Sequence, residues 1–405
     1  MRRRGIGGLV VALAVVAAVV GGTGAAGSAP GVDSRCAKLQ RPRALKDHEA
    51  RNLADRCVRL NQVQVLAMHN AYHVQARPDL FDAIRAFDPA LAASLEYTHP
   101  PLPDQLGRLG IRQVELDVFA DPEGGLYADR AGLRVIGDDP IGPPALQDPG
   151  FKVLHVQDLD FESTCLTLVA CLRTLRTWSD DHPGHLPITV QIEAKDDVLP
   201  DLGLGFVEPI PIRGPQLDAL DAEIRSVLGP DDLITPDDVR GRRSTLEEAV
   251  LRDGWPTLGS ARGRFLFALD DSGVKRDAYV SGHPSLRGRV LFTDSPPGTP
   301  EAAYFVRNDP VSSFDEIQDL VRRGYLVRTR ADADTVQART GDTTMRQAAL
   351  ASGAQFVTTD YPEPDPRFGT GYFVDVPGPG PARCDPVNAP PGCGRYVLED
   401  LTARH

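Results

Sequence analysis

His69 and Asn70 stand together at the end of an apolar run, VQVLAMHN, and a second run, IRQVELDV, carries Glu115 and Asp117 two residues apart. A third run, KVLHVQ, carries His155, and a fourth, ITVQIEAK, carries Glu193 and Lys195. In an extended strand residues i and i+2 point to one face, so Glu115 with Asp117 and Glu193 with Lys195 form same-side pairs. Three carboxylates and an amide oxygen gathered without a matching cluster of bases repel one another unless a cation sits among them. All-oxygen donors suit a hard cation, and such a site leaves both histidines free for acid and base work or for stabilising charge. Taken singly, an E-x-D on a strand is usually a solvated face and a lone histidine a hydrogen-bonded structural one. Their recurrence at corresponding ends of four successive strands favours chemistry. His73, His99, His182, His185 and His283 fall outside that pattern and read as structural.

The elements that must position these groups are short and alternate in type. Eight β-rich runs cover 62–69, 111–118, 152–157, 187–195, 263–271, 290–295, 325–334 and 354–361. Helical spacing occupies 216–228, 245–252, 313–323 and 344–352 between them. Alternating strands and helices pair in parallel through right-handed crossovers, and eight strands predict an α/β fold of the (β/α)8 TIM type, whose enzymes build their sites at the strands' C-terminal ends. The reading is a single-domain barrel over 61–376 with a helical insertion at 198–262. An N-terminal segment at 30–60 precedes it, and a Pro/Gly-rich tail at 377–405 wraps it. The Gly/Pro/Asp-rich stretch at 121–150 reads as a long loop over one face.

With 405 residues, 41 % hydrophobic and 25 % charged, the chain is long enough for a large core and has globular composition. The net charge is −12 and the only basic run is Arg2 to Arg4, so little is available for neutralising a phosphate backbone and no nucleic-acid partner is expected. Those arginines precede twelve apolar residues, Leu9 to Val20, and a small-residue stretch from Gly21 to Ala29. The apolar run is too short to span a bilayer comfortably, and residues 1–29 read as a secretory signal peptide. Losing three arginines takes −12 to −15, so the secreted protein is acidic. Export makes the six cysteines disulfides rather than metal ligands, and none has CxxC spacing. Of fifteen connectivities the simplest joins sequence neighbours: Cys36 with Cys57, Cys165 with Cys171, Cys384 with Cys393. An exported protein meets abundant Ca²⁺, which makes Ca²⁺ the expected cation.

The ordered set of HN, E-x-D, H and E at four strand ends resembles phosphatidylinositol-specific phospholipase C of the calcium-dependent kind. LEYTHPPLPDQL ahead of the E-x-D strand, TPDDVRG and GWPTL in the insertion, and GAQFVTTDYP at the eighth strand resemble its secreted bacterial branch, over residues 60–395. The resemblance implies that Asn70, Glu115, Asp117 and Glu193 hold one Ca²⁺ while His69 and His155 flank a phosphate. The inositol 2-hydroxyl would attack phosphorus, His69 would stabilise the growing charge, and His155 would protonate the diacylglycerol oxygen. A 1,2-cyclic phosphate would result and be opened by water. Lys195, Arg328 and Arg330 are candidate substrate contacts. The implied substrate is phosphatidylinositol in a membrane or micelle surface, met by a monomer. A charge of −15 gives no general attraction to anionic bilayers, so contact would come from a local apolar rim or from Ca²⁺ bridging.

Two other readings compete. Glycerophosphodiester phosphodiesterases and phospholipase D-like relatives on the same barrel also use two histidines and E-x-D around a metal. They usually show H-R-G, where this chain has Asn70 and Ala71 after His69, and Glu193 makes a fuller ligand set. A non-catalytic phospholipid-binding barrel would be expected to lack a histidine or a ligand, and none is missing.

Overall fold

The computed structural model describes Cys36 and residues 47–399, apart from 201, 202, 379 and 396. The signal peptide read at 1–29 and the end of the tail, 400–405, lie outside the described residues. Eight parallel strands form the barrel: β1 (Val63–Met68), β2 (Gln113–Phe119), β3 (Ile188–Ala194), β4 (Phe265–Leu269), β5 (Leu291–Thr293), β6 (Tyr304–Val306), β7 (Leu326–Arg330) and β8 (Phe356–Thr359). Each pairs with the next, and β8 returns to pair with β1, Val65 opposite Phe356 and Met68 opposite Thr359. The weakest seam lies between β5 and β6, where the Asp294–Tyr304 bridge makes the connection.

Alternation along the strands decides what faces inward. On β2, Val114, Leu116 and Val118 join the apolar shell packed under helices such as Leu168–Asp181, whose Leu172 and Leu175 are buried in the same cluster. The intervening Gln113, Glu115 and Asp117 then share the barrel interior. The register sets Glu115 opposite Gln191 and Asp117 opposite Glu193, and β7 sends Arg328 and Arg330 the same way. Low in the interior Gln113 donates to Gln191 (3.0 Å) and to the Tyr304 hydroxyl (2.9 Å). Above it Arg328 reaches Glu115 at 2.6 Å and Thr358 at 2.9 Å.

Crossover helices follow ordinary rules. Phe314–Arg323 buries Ile317, Leu320 and Val321, carries Asp315 and Glu316 in its first turn and Arg322 and Arg323 in its last, and stops at Gly324, whose φ of 102° suits a residue without Cβ. Helix Gly214–Val227 connects β3 to β4 within the segment 198–262. The same segment supplies a two-residue strand, Leu233–Ile234, beside β4 and three further short α-helices.

One expected barrel strand is corrected. In the run 152–157 only Lys152–Val153 is extended, and it pairs antiparallel with the end of β2. The chain then doubles back, Val156 bridging Asp160 across Asp158 at φ 67°, so His155 sits on a loop beyond the barrel wall. The missing eighth strand is Tyr304–Val306, too short to stand out in the sequence.

All three neighbouring cysteine pairs are bonded: Cys36–Cys57, Cys165–Cys171 and Cys384–Cys393. The last anchors a tail that adds an antiparallel strand, Ala382–Cys384, to Val63–Val65. The tail then places Glu399 at the N-terminal side of the barrel, where it accepts from Arg112 Nε (2.8 Å) and Leu186 N (2.9 Å), both buried. Truncating Glu399 strands a buried guanidinium, so Glu399→Ala should cost about 3–5 kcal/mol of unfolding free energy, read as a lower denaturant midpoint, with activity at 25 °C kept.

Candidate active site

Asn70 follows β1 by two residues and takes a φ of 44°, a left-handed conformation that asparagine tolerates better than most side chains. Its Nδ2 donates to the Tyr97 hydroxyl at 3.0 Å, which leaves Oδ1 buried with no hydrogen-bond partner. Both carboxylate oxygens of Asp117 are likewise buried without a hydrogen bond, and Lys195 Nζ pairs with Oδ2 only at 3.7 Å. Burial, then the charge of Glu193, pushes Asp117 well above the usual carboxylate range. Glu115 is raised to about 8 by burial, with Arg328 opposing the shift. Glu193 bonds Lys195 at 3.0 Å; burial pushes it up, but Lys195 outweighs that and the net shift is down.

The donor set fits a hard cation. Buried, unpartnered oxygens on Asn70 and Asp117 carry a desolvation cost that a cation would remove, and oxygen atoms of Glu115, Glu193 and Asp270 lie within 4.8 Å of one another. Arg328, Arg330 and Lys195 are too few to balance four carboxylates. Asp270, which directly follows β4, joins this set; the expected strand-end residues covered only the first four runs and did not include it.

The two histidines are held in parallel fashion. His69 Nδ1 lies 2.9 Å from Asp360 Oδ1, and His155 Nδ1 lies 2.8 Å from Asp160 Oδ2. Burial pushes Asp160 and Asp360 up, but the histidines beside them outweigh it and both net shifts are down, so each carboxylate accepts the Nδ1 proton. Nε2 is thereby left as the working atom of each ring. His69 is lowered to about 3, by burial first and by Arg330 next. Asp360 is also 3.6 Å from Arg330 and 3.7 Å from His99, whose Nε2 bonds the His69 carbonyl oxygen at 3.0 Å. Asp160 Oδ2 accepts a second bond, from His73 Nε2, at 2.8 Å.

Ring contacts tie the halves together: His69 to Tyr97 at 6.3 Å, Tyr97 to His73 at 4.1 Å, and His73 to His155 at 5.5 Å between centroids. Thus His69, Asn70, Glu115, Asp117, His155 and Glu193 converge at one mouth, with Lys195 and Arg330 at its edge and Arg328 buried on Glu115 below. His73 and His99, read as structural, serve the carboxylates that hold the two outward histidines. His182 stacks on Trp178 instead, and His185 packs tilted against the same ring. Asp360 could have been found as the strand-end residue of VTTDYP, whereas nothing in the loop around Asp160 marks it.

A search of curated proteins finds no match. Among solved structures the chain is similar to a Ca²⁺-dependent phosphatidylinositol-specific phospholipase C from Streptomyces antibioticus, at 20 % identity over 75 % of this chain and 95 % of that one, TM-score 0.47. It is also similar to a calcium-dependent phosphoinositol-specific phospholipase C from a Pseudomonas species, at 15 % identity over 80 % and 95 % of the two chains, TM-score 0.49. The model of the family described as Ca²⁺-dependent phosphoinositide phospholipase C matches residues 58–386, most of the chain and every residue placed at the mouth, so the protein belongs to that family of phosphodiester-cleaving enzymes.

Proposed function

We propose that the protein is a secreted phospholipase C that cleaves phosphatidylinositol to diacylglycerol and an inositol phosphate through a 1,2-cyclic phosphate, with one Ca²⁺ held by Asn70, Glu115, Asp117 and Glu193. The observation that carries the reading is the pairing of unpartnered buried oxygens on Asn70 and Asp117 with two outward Nε2 atoms. Bound Ca²⁺ supplies Lewis acidity, lowering the pKa of a hydroxyl and neutralising phosphoryl charge.

The chain's own residues do the rest. Arg330 and His69 meet the charge that grows at phosphorus. Burial and Arg330 keep His69 neutral, and an anionic phosphate beside Nε2 opposes both effects, favouring the imidazolium that donates to a phosphoryl oxygen. His155, its Nδ1 proton fixed on Asp160, presents Nε2 to the leaving oxygen, and Asp160 stabilises the imidazolium form that gives up its proton there. The neutral ring left behind can take a proton from water when the cyclic ester opens. Lys195, bonded to Glu193, orients that carboxylate and stands within reach of the ring.

Presentation of the substrate in a lipid surface is supported by exposed apolar side chains on the segments leaving the strands: Ile141 after β2, Val198 after β3, Val274 after β4 and Val311 after β6. Secretion is supported by the three disulfides. Phosphorus NMR of phosphatidylinositol in mixed micelles tests the reaction: the 1,2-cyclic ester should appear before the open phosphate, the 2-O-methyl lipid should not turn over, and phosphatidylcholine should be inert. Efficient cleavage of phosphatidylcholine or glycerophosphocholine would assign the site to another diesterase reaction.

A further inference from the structure

We infer that Tyr97 is a positioning residue for the proposed cation: its hydroxyl holds Nδ2 of Asn70 and so leaves Oδ1 as the end of the amide that ligates; this rests on the function proposed above. Tyr97 stands in LEYTHPPLPDQL, ahead of β2. Directly after the ring this segment is tied to the loop that carries Asn70. Gln75 N donates to Thr98 Oγ1 at 3.1 Å, His99 N donates to the His73 carbonyl at 3.0 Å, and His99 Nε2 bonds the His69 carbonyl at 3.0 Å. Tyr97 itself is 2 % exposed, its ring 4.1 Å from that of His73 and 5.2 Å from that of His99 between centroids.

The Asn70 backbone has little freedom left. Its φ is 44°, its carbonyl accepts from His73 N at 2.8 Å, and the next N–H, that of Ala71, donates to the Glu115 carbonyl at 2.9 Å. What remains open is which end of the amide faces the carboxylates. The two ends are nearly the same size, so sterics cannot choose between them and the choice falls to hydrogen-bond partners. Nδ2 lies 3.0 Å from the Tyr97 oxygen, while Oδ1 is buried without a hydrogen bond, as are both oxygens of Asp117. An amide turned the other way would present N–H groups to the carboxylates, a favourable contact in the metal-free protein that Ca²⁺ would have to break. The phenol oxygen opposes that turn by accepting from Nδ2. Without it Nδ2 is a buried donor lacking a partner, and the amide either turns or carries that cost. Partners one layer behind a ligand change metal affinity by about 10- to 100-fold.

The test is calorimetric Ca²⁺ titration of chelator-stripped protein, without substrate, for the wild type, Tyr97→Phe, Asn70→Asp and the two substitutions together. Tyr97→Phe keeps the ring and its packing and should raise the Kd for Ca²⁺ by about 10- to 100-fold. In phosphatidylinositol micelles the Ca²⁺ half-saturation of turnover should rise by the same factor, and added Ca²⁺ should recover the rate. A carboxylate has two oxygens and no wrong end, so in the Asn70→Asp background Tyr97→Phe should change Kd by about threefold or less. Denaturant midpoints of the metal-free proteins separate this from a purely structural role. A Tyr97→Phe variant with a lower midpoint but an unchanged Kd overturns the inference. So does an equal loss of affinity in both backgrounds, which would mean that the hydroxyl acts on Ca²⁺ by another route. An Asn70→Asp protein that binds no Ca²⁺ overturns it too, since a ligand serving through oxygen alone accepts that exchange. A wild type that binds no Ca²⁺ would overturn the proposed function and this inference together, whereas binding that Tyr97→Phe leaves unchanged overturns the inference alone.

Discussion

Replacing His155 by alanine should remove ~10² to 10⁴ of the turnover rate on phosphatidylinositol and far less on an aryl phosphoinositol. A diacylglycerol alkoxide is a poor leaving group and needs a proton in the transition state, while a phenolate departs nearly unaided. The structure puts His155 Nδ1 on Asp160 at 2.8 Å and keeps the ring partly open to the mouth, the arrangement a proton donor needs. Asp160→Asn should follow the same pattern more mildly, because an amide cannot stabilise the imidazolium and presents a competing donor to Nδ1. His69→Ala removes a contact at phosphorus itself and should slow both substrates alike. Rates for the two leaving groups across these variants decide the matter: equal losses for His155→Ala would take it out of the acid role, and a leaving-group-selective loss in His69→Ala would exchange the two assignments.

Calcium should raise the stability of the wild type and leave Asp117→Asn nearly unmoved. A ligand at a hundred times its Kd stabilises by about 2.7 kcal/mol, so a thermal scan with and without Ca²⁺ reads binding without any turnover. Loss of a carboxylate donor should weaken Ca²⁺ binding by ~10² or more, since even partners one layer out cost 10- to 100-fold. The metal-free variant should be at least as stable as the metal-free wild type, because Asp117 is a buried carboxylate with no hydrogen-bond partner on either oxygen and the amide is uncharged. Activity should vanish with chelator and return with Ca²⁺ but poorly with Mg²⁺, which demands octahedral geometry and holds its water. Full activity in exhaustively chelated protein, or an unchanged Ca²⁺ shift in Asp117→Asn, would remove the metal from this site.

These expectations divide between what the chain's order of residues determined and what its folding decided. Strand alternation is local: V-E-L-D-V in one element sends Glu115 and Asp117 to one side and three apolar residues to the other whatever the rest of the chain does, so the inward carboxylates were legible at once. The E of the next inward-facing strand was legible for the same reason, and the disulfide partners because they are close in sequence. Tertiary structure decided whatever depends on two distant segments meeting. Arg328 is 213 residues from Glu115, so no periodicity shows that it is committed to that carboxylate. His69 and Asp360 are 291 apart and meet only because β8 closes on β1. The loop that carries His155 imitates a strand in composition, and only its antiparallel pairing at Lys152–Val153 and the backward turn at Asp158 reveal otherwise. The strand Tyr304–Val306 has no pattern of its own, because three residues are too few for a period, and its identity comes from the neighbours that close the barrel around it.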